Sequence, residues 1–165
     1  MGRDKARLPY RGGELAAWIA RAVHDAAGSA TLVGNPDLGG IPDLYPGEGP
    51  LGGILTALRH TSSEWNLVVA CDMPEVSADF LSRLLRAAEI SAADALLPVG
   101  PSGHPEPLCA VYHQRSADPL AQSFARGIRK IMQALEAVPT LRLPVAELEP
   151  FQNVNTPEDW AGYAG

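Results

Sequence analysis

The stretch that decides the fold is Asn66-Leu67-Val68-Val69-Ala70-Cys71-Asp72-Met73-Pro74. From Leu67 to Cys71 it is continuously apolar. A strand of this kind is covered on both faces, which is the pattern of a mainly parallel sheet between helices. Asp72 follows directly. Open α/β sheets bind ligands at the carboxyl ends of their strands. A carboxylate placed there can hold Mg²⁺ through one or two oxygens. It can equally cap the turn that precedes Ser77.

Reading outward, helical and strand-like stretches alternate. Leu15, Trp18, Ile19, Ala22 and Val23 mark a helix from Glu14 to Ala27, with Gly28 as its stop. Ala30-Thr31-Leu32-Val33 reads as a short buried strand, followed by a Gly-, Pro- and Asp-rich loop. Leu51, Ile54, Leu55 and Leu58 mark a second helix from Leu51 to His60. Ser77 caps a third, whose apolar face is Phe80, Leu81, Leu84, Leu85 and Ala88. Ala95 to Val99 and Cys109 to Tyr112 read as strands. Ile128 to Ala137 reads as a helix and Leu141 to Val145 as an edge strand, since Pro144 lacks a ladder donor. Thr156-Pro157 opens a last helix. The expected architecture is a single α/β domain over residues 1–165, with a mainly parallel sheet in three layers.

Composition narrows the function. With 165 residues, one hydrophobic core is expected. The apolar fraction of 46% and charged fraction of 19% place the chain among ordinary globular proteins, not disordered ones. A net charge of −6 argues against a general nucleic-acid binder, which needs a basic face. Local backbone amides and one lysine can still hold an anionic ligand. No apolar run has the length of a membrane span, and no signal-peptide core follows the N-terminus; the expected location is cytoplasmic. Cys71 and Cys109 lie in apolar runs and read as small buried hydrophobes. The four histidines are scattered, and His104 reads as a solvated loop residue.

Several other residues are candidates for binding. In Glu48-Gly49-Pro50-Leu51-Gly52-Gly53, glycines beside a helix start let backbone approach a base or phosphate, or else serve close packing. Asp43, in the same loop, can accept hydrogen bonds from a base or ribose, or cap a turn. Lys5 is solvated or faces an anion. Asn153 and Asn155 alternate on an extended segment and so point to one side, toward a pocket or toward their own loop. Glu106, before Pro107-Leu108, is a candidate pocket carboxylate.

Taken in order, the pieces resemble the molybdenum cofactor guanylyltransferases, within the MobA-like nucleotidyltransferases. They are Met1-Gly2-Arg3-Asp4-Lys5, Val33-Gly34-Asn35, Asp43 with Pro46-Gly47 and Gly49-Pro50-Leu51-Gly52-Gly53, Cys71-Asp72-Met73-Pro74, Pro107-Leu108, and Asn153-Val154-Asn155-Thr156-Pro157-Glu158-Asp159. They span nearly the whole chain. The resemblance implies a Rossmann-like fold that binds GTP with Mg²⁺. It implies transfer of GMP to the terminal phosphate of molybdopterin or the molybdenum cofactor, with release of pyrophosphate. Carried over, Lys5 contacts the nucleotide phosphates. Asn35, Asp43, Gly49, Pro50, Leu51, Gly52 and Gly53 hold the guanine and ribose side. Asp72 binds the metal, and Asn153 and Asn155 face the pterin. Transient contact with cofactor insertion proteins is implied as well. The alternatives are a cytidylyltransferase on the same cofactor and a non-catalytic molybdopterin-binding protein.

Two departures from the family pattern stand out. The family opens with a strand and a Leu-Ala-Gly-Gly-type loop ahead of the stretch that Met1 begins here. The sheet is therefore expected without its first strand and much of its phosphate cradle, through a misplaced start codon or a shortened chain. Glu106 stands where the family commonly has Gln, and a carboxylate there repels an anionic substrate unless it is turned away or protonated.

Overall fold

The computed structural model describes residues 5–147 and 149–151, without the side chains of Lys5 and Glu149. Its strands are β1 (Pro9–Tyr10), β2 (Gly13–Glu14), β3 (Trp65–Val69), β4 (Ala95–Val99), β5 (Cys109–His113) and β6 (Thr140–Pro144). Its helices are α1 (Leu15–Ala27), α2 (Pro50–His60), α3 (Ala78–Glu89), α4 (Ala117–Ala125) and α5 (Ile131–Ala134). β1 and β2 form a small antiparallel hairpin that leads into α1. The main sheet has the order β3-β5-β4-β6. β5 runs antiparallel to both of its neighbours, and β4 pairs parallel with β6. Three of the four strands thus point one way, with β5 running against them.

Alternation along the strands sorts side chains into two helical layers. On one face Leu96, Cys109 and Val111 pack with Leu15 and Ile19 of α1 and with Phe80, Leu81 and Leu84 of α3. On the other, Ala95, Leu97, Ala110 and Tyr112 pack with Leu51, Ile54, Leu55 and Leu58 of α2 and with Leu120 of α4. All five residues of β5 are buried. This is the three-layer α/β arrangement that the continuous apolar runs require.

Local signals explain most boundaries. Gly28 ends α1 in the left-handed region at φ 81°, with its N–H on the His24 carbonyl. Ser77 Oγ accepts from Phe80 N–H at 3.2 Å and caps α3, an interaction worth about 1 kcal/mol.

Besides the β1–β2 hairpin, which the sequence pattern does not mark, three stretches differ from the sequence expectation. Residues 30–33 form no strand. The return of their own loop takes the ladder bonds, with Ile41 N–H on Leu32 O at 2.8 Å and Gly34 N–H on Ile41 O at 2.9 Å. Val33 keeps one parallel bridge to Ile41. The helix expected from Ile128 begins at Ile131 and continues as a 3₁₀ turn, Leu135–Ala137. Gly127 and Ile128 instead close α4, donating to the carbonyls of Phe124 at 2.9 Å and Ser123 at 3.1 Å. That pair of bonds is a Schellman cap. α4 itself has no counterpart in the sequence reading. The helix expected from Thr156 lies outside the described residues. Among the described residues no helix is long and apolar enough to cross a membrane.

Burial in β5 has a consequence at alkaline pH. The Cys109 thiol is pushed up from 9.0 to about 12, first by burial and then by Glu106. Burial also pushes the Tyr112 phenol up. The unfolded chain ionises before the folded one, so this stability is fully present below pH 9 and is lost as pH rises toward 12. Denaturant titration should show stability falling over that window, and Cys109→Ala should flatten the fall. Parallel pH profiles for the two proteins would contradict this account of Cys109.

Candidate active site

The candidate residues lie in two loops, the first at the end of the sheet where β3, β4 and β6 terminate. The first depends on the direction of β5. Because β5 runs against β3, it starts where β3 ends, and Ala70 N–H donates to Leu108 O at 2.7 Å. The segment Glu106-Pro107-Leu108 therefore arrives beside Cys71-Asp72. It is pinned on both sides, with Glu106 N–H on Pro98 O at 3.0 Å and Cys109 N–H on Glu106 O at 3.1 Å. Tyr112 Oη donates to Pro107 O at 2.7 Å.

Asp72 sits half-buried in the turn after β3. The cap of the following helix is Ser77. The Glu106 carboxyl is held above its ordinary value by burial; His104 opposes that and Asp72 adds to it. Glu106 thus shares the site electrostatically with Asp72. His104 is exposed, as expected of a solvated loop residue.

The second loop carries Asn35, Asp43 and the glycine turn. Asn35 O accepts from Leu38 N–H and Gly40 N–H, both at 3.1 Å, which folds the loop back on itself. The return brings Asp43 to Gly34: a Cβ at Gly34 would lie 3.9 Å from Asp43 Cβ. Asp43 Oδ1 accepts from Tyr45 N–H and Thr56 Oγ1, each at 2.9 Å. Gly49 has φ 84° and ψ −178°, a conformation essentially reserved for glycine, and it leads into Pro50 at the first position of α2. Gly52 and Gly53 separate the two readings of the turn. A Cβ at Gly52 would stand 2.9 Å from Tyr45 Cβ, so Gly52 serves close packing. A Cβ at Gly53 would meet nothing within 4 Å, so no packing requirement explains that glycine.

The loops are tied to the rest of the molecule. Tyr45 packs on Phe124 of α4 at 4.7 Å between ring centroids. Arg129 lies over Phe124 and pairs with Glu48 at 2.6 Å. Arg7, two residues after Lys5, pairs with Asp37 at 3.3 Å. A cavity of about 160 Å³ runs along β3 and α1, with Ile19, Val23, Val33, Leu67, Val69 and Cys71 in its wall, and none of the described candidate residues lines it.

The structure thus joins Asn35, Asp43, Gly49, Pro50, Leu51, Gly52 and Gly53 in one unit, and Asp72 with Glu106 in another. Lys5 opens a 3₁₀ turn, but its side chain lies outside what is described, as do Asn153 and Asn155. The sequence reading missed Thr56, Tyr45 and Arg129. Thr56 left a signal: it is a hydroxyl residue among the apolar positions of α2, and it is buried at 1% exposure. Among the described residues no group of three or more His, Cys, Asp or Glu could hold a metal ion. Asp72 with neighbouring Glu106 still suits Mg²⁺, which typically takes one or two carboxylates and completes its shell with substrate phosphates and water.

Comparison with known proteins agrees with this geometry. A protein named probable molybdenum cofactor guanylyltransferase from Methanothermobacter thermautotrophicus is 35% identical over 125 residues, covering 72% of this chain and 63% of that protein. This chain therefore spans under two thirds of that relative. One of the same name from Trichormus variabilis is 32% identical over 181 aligned positions, covering 100% of this chain and 84% of that protein. The crystal structure of molybdopterin-guanine dinucleotide biosynthesis protein A from Archaeoglobus fulgidus overlays with a TM-score of 0.81 at 31% identity, covering 98% of this chain and 89% of that one. Residues 1–138 match the MobA-like NTP transferase domain, and the chain belongs to that family.

Proposed function

We propose that this protein transfers GMP from GTP to the terminal phosphate of molybdopterin or the molybdenum cofactor and releases pyrophosphate. One observation carries the reading. The relative that aligns over the entire chain is named for this guanylyl transfer, and the structure with a TM-score of 0.81 is named for biosynthesis of the guanine dinucleotide. The geometry supports it with a fixed acceptor at Asp43, an open glycine at the start of α2 and a carboxylate pair at the end of β3.

In the proposed reaction an oxygen of the cofactor's terminal phosphate attacks the α-phosphorus of GTP. The new P–O bond forms as the bond from the α-phosphorus to the bridging oxygen breaks, and pyrophosphate leaves with that electron pair. No protein nucleophile is required; the work is positioning and charge neutralisation. Lys5 lies against the nucleotide phosphates. Asn35, Asp43 and the Gly49–Gly53 turn hold the guanine and ribose, and the first turn of α2 offers backbone N–H groups. Asp72 is the residue that would hold Mg²⁺, which supplies charge neutralisation at the phosphates when bound. Asn153 and Asn155 face the pterin. The proposed location is the cytoplasm.

The test is pyrophosphate release from GTP with molybdopterin as acceptor, with and without EDTA. The expected result is activity with GTP that EDTA abolishes and that Asp72→Ala lowers by a factor on the order of 10² or more. Intact activity in Asp72→Ala would remove Asp72 from the metal site, and no release from GTP would overturn the reaction.

Gly53 provides an independent test of the nucleotide side. Gly53→Ala should leave the fold intact or stabilise it by about 0.5–1 kcal/mol, because glycine is a poor helix residue and the added methyl meets open space. The same methyl should raise KM for GTP severalfold. An unchanged KM would show that the turn does not approach the nucleotide.

A further inference from the structure

We propose that the buried hydroxyl of Thr56 is the positioning group that orients Asp43 for base recognition and so favours guanine over other bases. This rests on the guanylyl-transfer reading above. Thr56 Oγ1 has three neighbours: Leu44 N–H donates to it at 3.1 Å, while Asp43 Oδ1 and Gly52 O each lie 2.9 Å away as acceptors. The hydroxyl has one proton for two acceptors. A threonine in a helix can always donate to the carbonyl four residues back, here Gly52. An ionised carboxylate is the stronger acceptor, so the proton goes to Asp43.

Asp43 is thereby fixed through one oxygen. Tyr45 N–H and the Thr56 hydroxyl both bond Oδ1, and among the described residues no donor to Oδ2 is found. With Oδ1 held from two directions the carboxylate cannot turn about its last bond, and Oδ2 keeps one direction. Guanine offers two adjacent donors on its pairing edge, N1–H and the N2 amino group. Adenine and cytosine each present an unprotonated ring nitrogen in place of N1–H, which a fixed carboxylate repels. A carboxylate free to turn would accept from any amino or ribose group and would discriminate less. Thr56 acts through Asp43 and touches no substrate.

The expected effects are measured by calorimetric binding of GTP and CTP, with thermal unfolding of each variant as a control for folding. Thr56→Ser keeps the hydroxyl and should bind GTP within about twofold of wild type. Thr56→Val removes it at nearly constant volume and should weaken GTP binding about tenfold, because the freed carboxylate must be ordered again on the guanine edge, while CTP binding stays unchanged or tightens. Thr56→Ala is the second hydroxyl-free variant should valine disturb the packing. In an Asp43→Ala background, Thr56→Val should cause no further loss. Wild-type GTP affinity in the hydroxyl-free variants, equal weakening of GTP and CTP, failure of serine to restore binding, or additive losses in the double variant would each overturn the proposal. If wild type itself binds neither nucleotide, the guanylyl-transfer reading fails and takes this assignment with it. Wild-type binding that Thr56 does not affect removes this assignment alone.

Discussion

The two hydrogen-bond ladders of β5 hold this structure together. β5 pairs with β3 on one side and β4 on the other, and all five of its residues are buried. Its side chains alternate into both helical layers, so neither layer packs without it. Its direction matters as much as its burial. A parallel strand in its place would start at the opposite end of the sheet. Running against its neighbours, it delivers Glu106, Pro107 and Leu108 to the end where β3 releases Asp72. The carboxylate pair is therefore a product of topology, although 34 residues of sequence separate its members.

The second half of the site is held by polar bonds instead of apolar packing. Asn35 O, Asp43 Oδ1 and Thr56 Oγ1 each receive or bridge several groups within one loop and the start of α2. Each bond contributes little net stability, but a buried hydroxyl or carboxylate left unmatched is costly. Such a network specifies one loop geometry. Tyr45 adds an apolar anchor, seated on Phe124 and against the Gly52 backbone, where any Cβ would collide. The result is a loop rigid enough to present Asp43 while leaving Gly53 open.

Much of this was legible in the sequence, for identifiable reasons. The apolar run ending at Cys71, the Ser77 cap and the Gly28 stop are local signals, and each appears where local physics puts it. Asp72, Asp43 and the glycine turn were legible as candidates because strand ends and helix starts are where α/β sheets bind ligands. What was not legible depends on partners distant in sequence. Residues 30–33 have strand composition, but their hydrogen bonds went to Ile41 of the returning loop. Ile128 looked helical, but Gly127 made it part of the α4 cap. The direction of β5 is not encoded in its own residues at all, since a buried strand reads the same either way. Thr56 was overlooked because its partner lies 13 residues away in a loop whose path the sequence does not give.

The central claim is that these loops form a site selective for a guanine nucleotide. The most direct measurement is the thermal unfolding of the chain with Mg·GTP and, separately, with Mg·CTP. A ligand present at about 100 times its dissociation constant adds about 2.7 kcal/mol, which raises the unfolding temperature of a domain this size by several degrees. The account predicts that rise with GTP and little or none with CTP. An equal rise with both nucleotides, or a rise with CTP alone, would contradict it.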